Sequence, residues 1–173
     1  MDKSYLTNML LLIGLVLIQV LVCNHIMLFD VAMAFVFIYV IIRLPMNLST
    51  NWLLTWGFIS GFLVDLFSDT PGVNSMACTV LAMVKKPMLY AYIPKDDRTK
   101  DIIPSLSTLG FSIYGKYLFS MTLVYCILTF SLEYFNFADV KEIVIMSATS
   151  AVFTFLLLLS VDSLIVTRRE KRL

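Results

Sequence analysis

The chain has 173 residues, of which 60% are hydrophobic, and its formal net charge is only +1. Its mean hydropathy is +0.88, and its apolar fraction exceeds the roughly 45–50% that is typical of soluble globular domains. At about 20 residues per membrane-spanning helix, the chain has room for six spans with short loops and for no additional soluble domain. The near-neutral charge gives no electrostatic support for a nucleic-acid partner.

Six apolar stretches follow one another along the chain, separated by turn signals and charged loops. In chain order they cover residues 5–23, 26–44, 51–68, 73–93, 110–134 and 142–166. Each is long enough to be interpreted as a membrane-spanning helix, given the length that a bilayer requires. The expected fold class is therefore all-α: one polytopic membrane domain over residues 1–173 with six transmembrane helices.

Two turns between these spans have recognisable chemistry. The sequence Thr70-Pro71-Gly72-Val73 suits a type II turn, with proline at the second position and glycine at the third, where φ must be positive. Ser105 follows a proline and can begin the fifth helix earlier than the apolar stretch itself. Such a helix is long enough to tilt or to project beyond the bilayer.

The basic residues predict how the chain is oriented. Of the 13 lysine and arginine residues, all but Lys141 fall on one side of the membrane if both termini share that side. Cytoplasmic loops carry an excess of lysine and arginine, so both termini are expected to be cytoplasmic. The opposite, outer side carries mostly acidic residues: Asp30, Asp65, Asp69, Glu133, Asp139 and Glu142.

The third stretch combines small residues with a carboxylate on one helix face. Gly57, Gly61 and Asp65 are spaced by four residues, so they drift by only about 40° per step around a helix. A Gly-x-x-x-Gly edge lets another helix approach closely, and a carboxylate on that edge is costly unless it is paired or hydrated. With Gly72 of the following turn, these residues form the predicted helix-packing or partner-contact site.

Three interpretations of the Asp65 carboxylate stay open at this point. It can be an interfacial group that reaches water, or it can be held by backbone N–H groups of the turn at residues 70–74. It can also anchor a partner helix or line a polar cavity, because an ionisable residue in a membrane segment is a candidate functional site.

The fourth stretch contains two lysines, Lys85 and Lys86, immediately before Pro87. They lie about twelve residues after Val73, or roughly 18 Å along a helix, which is short against a hydrocarbon core of about 30 Å. Either the lysines extend from a full-length helix to the headgroups or this span is short. We interpret them as contacts for lipid or for a cytoplasmic partner.

Polar residues in other stretches are candidates for contacts between helices. Lys116 and Asp162 lie near the cytoplasmic ends of the fifth and sixth spans and are predicted to form a buried pair if those helices are neighbours, which would lower the cost of both charges. Alternatively, Asp162 pairs with Arg168 or is hydrated. Asn8 and Gln19 in the first span are candidates for interhelical hydrogen bonds.

Signatures of catalysis are missing from the sequence. It contains one histidine, and no His-Glu-x-x-His, Gly-x-Ser-x-Gly, phosphate-binding loop or cluster of metal-type ligands. The sequence therefore predicts a protein that is not an enzyme and that uses no cofactor and no metal.

These features together resemble the MreD family, the rod shape-determining membrane proteins of bacteria. The resemblance extends over nearly the whole chain and rests on the six-span layout and on short motifs. The motifs are Gly61-x-x-x-Asp65, Gly72-x-Asn74-x-x-Ala77, Lys85-Lys86-Pro87, Pro104-Ser105 and Leu132-Glu133-Tyr134-Phe135.

The resemblance implies a multi-pass scaffold of the cell-elongation machinery in the bacterial cytoplasmic membrane. Its direct partner would be MreC, a single-span extracytoplasmic protein, and through MreC it would support the RodA glycosyltransferase, the elongation transpeptidase, MreB filaments and peptidoglycan synthesis. Membrane lipid is the other expected partner.

The family fold is also similar to that of the vitamin-binding subunits of energy-coupling-factor transporters. The alternative function is therefore a small-solute binding subunit. Such a subunit should have an outward-facing cavity lined by polar and aromatic groups, whereas a scaffold should have a packed interior and an exposed small-residue groove.

Overall fold

The computed structural model describes residues 3–22, 32–68, 70–94, 102–134 and 140–170. Within these ranges the chain forms helices and no β-strand, which confirms the all-α class. The helices are α1 (Lys3–Leu21), α2 (Tyr39–Arg43), α3 (Thr50–Ser68), α4 (Val73–Tyr92), α5 (Leu106–Glu133) and α6 (Val140–Glu170).

Two of the described helices, α5 and α6, are long and apolar enough to cross a membrane. The apolar part of α1, Met9–Leu21, is shorter. The arrangement of six spans with both termini on the cytoplasmic side stays a prediction.

The second predicted span is wrong as a continuous helix. Residues 33–36 have no regular secondary structure, and the only helix in this part of the described chain is the five-residue α2. The sequence Phe35-Val36-Phe37-Ile38 consists of aromatic and β-branched residues, whose side chains lose χ1 freedom in a helix. We call residues 32–38 the core segment, because the described structure buries nearly all of it.

Side chains of distant helices satisfy the backbone of the core segment. The Gln19 amide of α1 donates to the Ala34 carbonyl at 2.8 Å and accepts from the Val36 N–H at 2.8 Å. The Thr154 hydroxyl of α6 accepts from the Phe35 N–H at 3.1 Å. Because buried backbone groups need partners wherever no helix supplies them, these side chains allow a non-helical chain to pass through the core.

Aromatic rings surround the core segment. Tyr125 of α5 packs edge-to-face against Phe35 and Phe37, with ring centroids 5.1 Å and 5.8 Å apart. Edge-to-face pairs are favourable beyond the apolar area that they bury. The core segment is therefore held by packing as well as by hydrogen bonds.

Helix α5 begins early, as the sequence predicts. Ser105 forms a capping box with Thr108, in which each side chain bonds to the other residue's backbone N–H. The helix then kinks at Gly110, where φ is +73°, a backbone conformation that glycine adopts without strain.

Candidate functional site

The glycine face of α3 is covered by α4. A Cβ at Gly57 would lie 2.7 Å from the Cys78 carbonyl oxygen and 2.8 Å from the Ala82 Cβ. A Cβ at Gly61 would meet the Asn74 carbonyl oxygen and would lie 2.6 Å from the Ser75 Cα. Close backbone approach is therefore confirmed, and it occurs within the chain, so this face is closed to an external partner.

The turn between α3 and α4 has the predicted backbone. Gly72 has φ of +88° and is the N-cap of α4, and the Val73 N–H donates to the Thr70 carbonyl at 3.4 Å. Gly72 has no side chain, so the first turn of α4 must find a hydrogen-bond acceptor elsewhere.

Asp65 supplies that acceptor. Its Oδ1 accepts from the Asn74 N–H and Asn74 Nδ2, each at 3.0 Å, and from the Thr70 hydroxyl at 3.1 Å. Its Oδ2 accepts from the Ser75 N–H at 2.8 Å and from the Ser75 hydroxyl at 2.5 Å. The side chain is 7% exposed, so the prediction that turn N–H groups hold this carboxylate is confirmed, in a position where the helix dipole favours a negative charge.

Asn74 extends this network to a third helix. The Tyr125 hydroxyl of α5 donates to Asn74 Oδ1 at 2.5 Å, while Asn74 Nδ2 also donates to the Thr70 hydroxyl at 3.0 Å. One buried polar network thus connects α3, α4 and α5, and the Asp65 carboxylate is the only charged group among its five side chains, Asp65, Thr70, Asn74, Ser75 and Tyr125.

An open groove lies between α3 and α4 beside this network. It has a volume of about 560 Å³, and the rings of Phe58 and Phe62 stack on its wall with centroids 5.9 Å apart. We call it the apolar groove; its lining consists of Phe58, Phe62, Asp65, Leu66, Pro71, Gly72, Ser75, Met76 and Thr79.

A smaller cavity lies at the end of the helices where α3 and α5 end. Its volume is about 160 Å³. We call it the polar cavity; its lining consists of Gln19, Met33, Phe35, Val64, Ser68, Thr70, Asn74, Thr129 and Glu133. It therefore brings polar side chains of α1, α3, α4 and α5 together with the core segment.

The expected lipid contact is wrong for Lys85. Helix α4 continues through Pro87 to Tyr92, so the helix does not end at the two lysines. Lys85 is fully buried, and its ammonium donates to the Leu44 carbonyl that follows α2. The side chain turns inward because this carbonyl at the end of a helix needs a donor.

Lys86 is half-buried and donates to the Leu48 carbonyl at 2.6 Å. Its contact with lipid or with a cytoplasmic partner stays a prediction. Together the two lysines hold the connection between α2 and α3 against α4.

The predicted pair of Lys116 and Asp162 is wrong. Lys116 is exposed on α5, whereas Asp162 is fully buried on α6. Asp162 accepts from the Tyr39 hydroxyl at 2.5 Å and from the Leu106 N–H at 2.8 Å, and Arg43 lies 3.8 Å away. The carboxylate faces the core and the N-terminus of α5, where donors and a favourable dipole are available.

Some of these polar contacts are predictable from the sequence and others are not. Gln19 makes its predicted long-range bonds, although to the core segment and not to a helix. The side chains of Asn8 and Arg168 lie outside the described part of the chain. Tyr39 and Arg43 were missed, because their role appears only once the core segment is known to pass beside α6.

The described residues hold no group of three or more His, Cys, Asp or Glu side chains suited to a metal ion. Comparisons with protein-family models, with curated proteins and with solved structures find no match for this chain.

Proposed function

We propose that this protein is a non-catalytic membrane scaffold of the bacterial cell-elongation complex, as its resemblance to the MreD family implies. The observation that carries the proposal is the use of its buried carboxylates. Asp65 and Asp162 each bind the N-terminus of a neighbouring helix of the same chain. They act as structural anchors, whereas an enzyme needs an acid or base that reaches its substrate.

The outer surface of the helices supports immersion in a membrane. Large apolar side chains are exposed along whole faces of α1, α3 and α6, including Leu10, Ile13, Leu17, Phe58, Phe62, Leu66, Val144, Ile145, Val152 and Leu156. A soluble monomer rarely exposes such extended apolar surface. Lipid or partner helices would cover these faces.

The volume of the polar cavity favours the scaffold over a vitamin-binding subunit. Pockets for drug-sized ligands usually measure about 300–1,000 Å³, whereas the polar cavity measures about 160 Å³. The apolar groove, at about 560 Å³, falls within that range, but it is open and its lining is mostly apolar, unlike the polar and aromatic cavity expected of a vitamin-binding subunit. The packed core segment occupies the centre of the helices, where a larger solute would need space.

The apolar groove is the surface on which we place the membrane helix of MreC. The predicted glycine face is closed by α4, so the partner contact moves to the neighbouring surface of α3 that bears Phe58 and Phe62. Both rings are about half exposed, at 51% and 47%, and they offer a preformed apolar wall at the depth of Asp65. Partner helices in membranes associate through such packing.

Affinity purification of the full chain from native membranes, followed by mass spectrometry, tests this function. We expect recovery of MreC with the unchanged protein and a several-fold lower recovery with Phe58→Ala/Phe62→Ala. The matched control is Val144→Ala/Ile145→Ala on the exposed face of α6, which should recover MreC normally. Recovery of transporter ATPases in place of MreC would favour the solute-binding alternative.

A further inference from the structure

We propose that the polar cavity is a binding site for an ammonium group carried on a short apolar stem. The site is separate from the apolar groove, and the proposal does not depend on the scaffold function. Three properties of the cavity carry it: its size, its uncompensated negative charge and its aromatic wall.

The size of the cavity limits the ligand to a few atoms. Its volume of about 160 Å³ is close to the roughly 150 Å³ of an engineered cavity that admits benzene. A primary ammonium on a chain of about four carbon atoms therefore fits, whereas a vitamin does not.

Glu133 gives the cavity a negative charge that the described residues leave uncompensated. Its side chain is half-buried, and the only ion pair within the described ranges is that of Arg43 and Asp162. A half-buried charge without a counter-ion is unfavourable, and a bound cation would remove that cost.

The ends of two helices add to this negative potential. Helix α3 ends at Ser68 and α5 ends at Glu133, and both residues line the cavity. The C-terminal end of a helix carries a partial negative charge. The positive N-terminal end of α4 is also near, but the Asp65 carboxylate already binds its N–H groups.

The two amide side chains of the lining are already hydrogen-bonded, whereas the buried Thr129 hydroxyl has no hydrogen-bond partner among the described residues and lines the cavity with Glu133. Gln19 uses both ends of its amide on the core segment, and Asn74 uses both ends of its amide on Asp65, Thr70 and Tyr125. A cation can therefore approach Glu133 without breaking these bonds.

The apolar part of the lining suits the stem of such a ligand. Its apolar lining residues are Met33 and Phe35 of the core segment and Val64 of α3. An aromatic ring within about 6 Å attracts a cation through its π face, and more strongly where water is excluded. An ammonium group with an apolar stem would contact both the Glu133 carboxylate and these apolar side chains. A bare metal ion would not use the apolar side chains.

An ammonium group on a short apolar stem can come from two sources. The ammonium group can belong to a small free amine on the outer side of the membrane, or to a lysine side chain in the extracytoplasmic part of a partner protein. On the predicted orientation, the outer side of this chain itself has a single lysine, Lys141, which is exposed on α6.

Calorimetric titration of the purified full chain with n-butylammonium chloride tests the site. We expect saturable binding that neither 1-butanol nor sodium butyrate reproduces at equal ionic strength. Glu133→Gln should weaken this binding at least tenfold, while Glu142→Gln, an exposed acid at the same end of the helices, should leave it unchanged. A thermal melt of each variant confirms that it is folded.

Absence of saturable n-butylammonium binding to the unchanged protein would overturn the proposal, as would equal binding to Glu133→Gln. The source is then identified by purifying each variant from native membranes. Loss of a co-purifying protein in Glu133→Gln alone assigns the site to a partner's lysine, whereas unchanged recovery assigns it to a free amine. Failure to recover MreC with any variant would contradict the scaffold function and leave the ammonium site standing.

Discussion

Asp65 accepts hydrogen bonds from five donors, more than any other side chain that the structure describes in this network. Asp65→Ala leaves the buried N–H groups of Asn74 and Ser75 without an acceptor, at about 1–3 kcal/mol for each unsatisfied group. Asp65→Asn retains one acceptor oxygen but turns an NH₂ group toward the other donors. We expect the melting temperature in detergent to fall in both variants, and further for alanine than for asparagine.

Ser112→Ala is a control for the Asp65 variants, because Ser112 is an exposed residue of α5 outside the network. It should melt like the unchanged protein. Unchanged melting of Asp65→Ala would show that the carboxylate is only an interfacial group and that the turn is held by other contacts.

Glycine substitutions distinguish close packing from simple helix propensity. Gly61→Ala places a methyl group against the backbone of Asn74 and Ser75, and such overpacking typically costs about 1–3 kcal/mol. Gly115→Ala is the matched control, because nothing lies within 4 Å of its Cβ position in the described structure. Thermal melts should show a loss for Gly61→Ala and no loss for Gly115→Ala; equal melting of the two would contradict close packing of α3 on α4.

At the residue scale, local spacing was sufficient to predict the contact face between α3 and α4. It was not sufficient to predict pairs of residues that are far apart in the sequence. The repeat of Gly57, Gly61 and Asp65 defines one helix face by itself, and Gly72 marks its turn by the positive φ that it requires. The partners of Asp162 depend on where residues far along the chain come to lie. Lys116 and Asp162 were paired only because both lie near the ends of neighbouring spans, and that criterion does not say which residues surround Asp162.

At the scale of elements, the core segment is the feature that departs most from expectation. Its apolar sequence fits a membrane-spanning helix by length and composition, and the same residues fit a non-helical segment buried on all sides. The deciding contacts come from Gln19, 17 positions from Val36, and from Thr154, 119 positions from Phe35. A sequence window cannot contain them.

Removal of one such contact tests whether the core segment depends on it. Thr154→Val keeps the shape of the side chain but leaves the buried Phe35 N–H without its acceptor, so the free energy of unfolding should fall by about 1–3 kcal/mol. The control is Thr149→Val, on the exposed side of α6, whose hydroxyl bonds only to carbonyls of its own helix. Unfolding in a denaturing detergent should separate the two variants, and equal stability would mean that packing alone fixes the core segment.

At the scale of the whole molecule, composition was sufficient for the all-α class, and the positions of the basic residues predict an orientation. Helices α5 and α6 have the length and apolarity of membrane spans. The core segment and α2 occupy the place of the predicted second span, so the chain would cross the bilayer there as a mostly non-helical segment. Such a crossing is tolerated only where protein surrounds it, as helices surround the core segment here.

The location of the loops tests this account most directly, because a scaffold for an extracytoplasmic partner and a source of the ammonium group on the outer side both require the α3–α4 turn and the end of α5 to face outward. Reporter fusions placed after Asp69 and Asn136 should report an extracytoplasmic location, and fusions after Asp97 and Leu173 a cytoplasmic one. This pattern requires the core segment and α2 to cross the membrane between α1 and α3. A fusion after Asp97 that reports outside, or one after Asp69 that reports inside, would contradict the account.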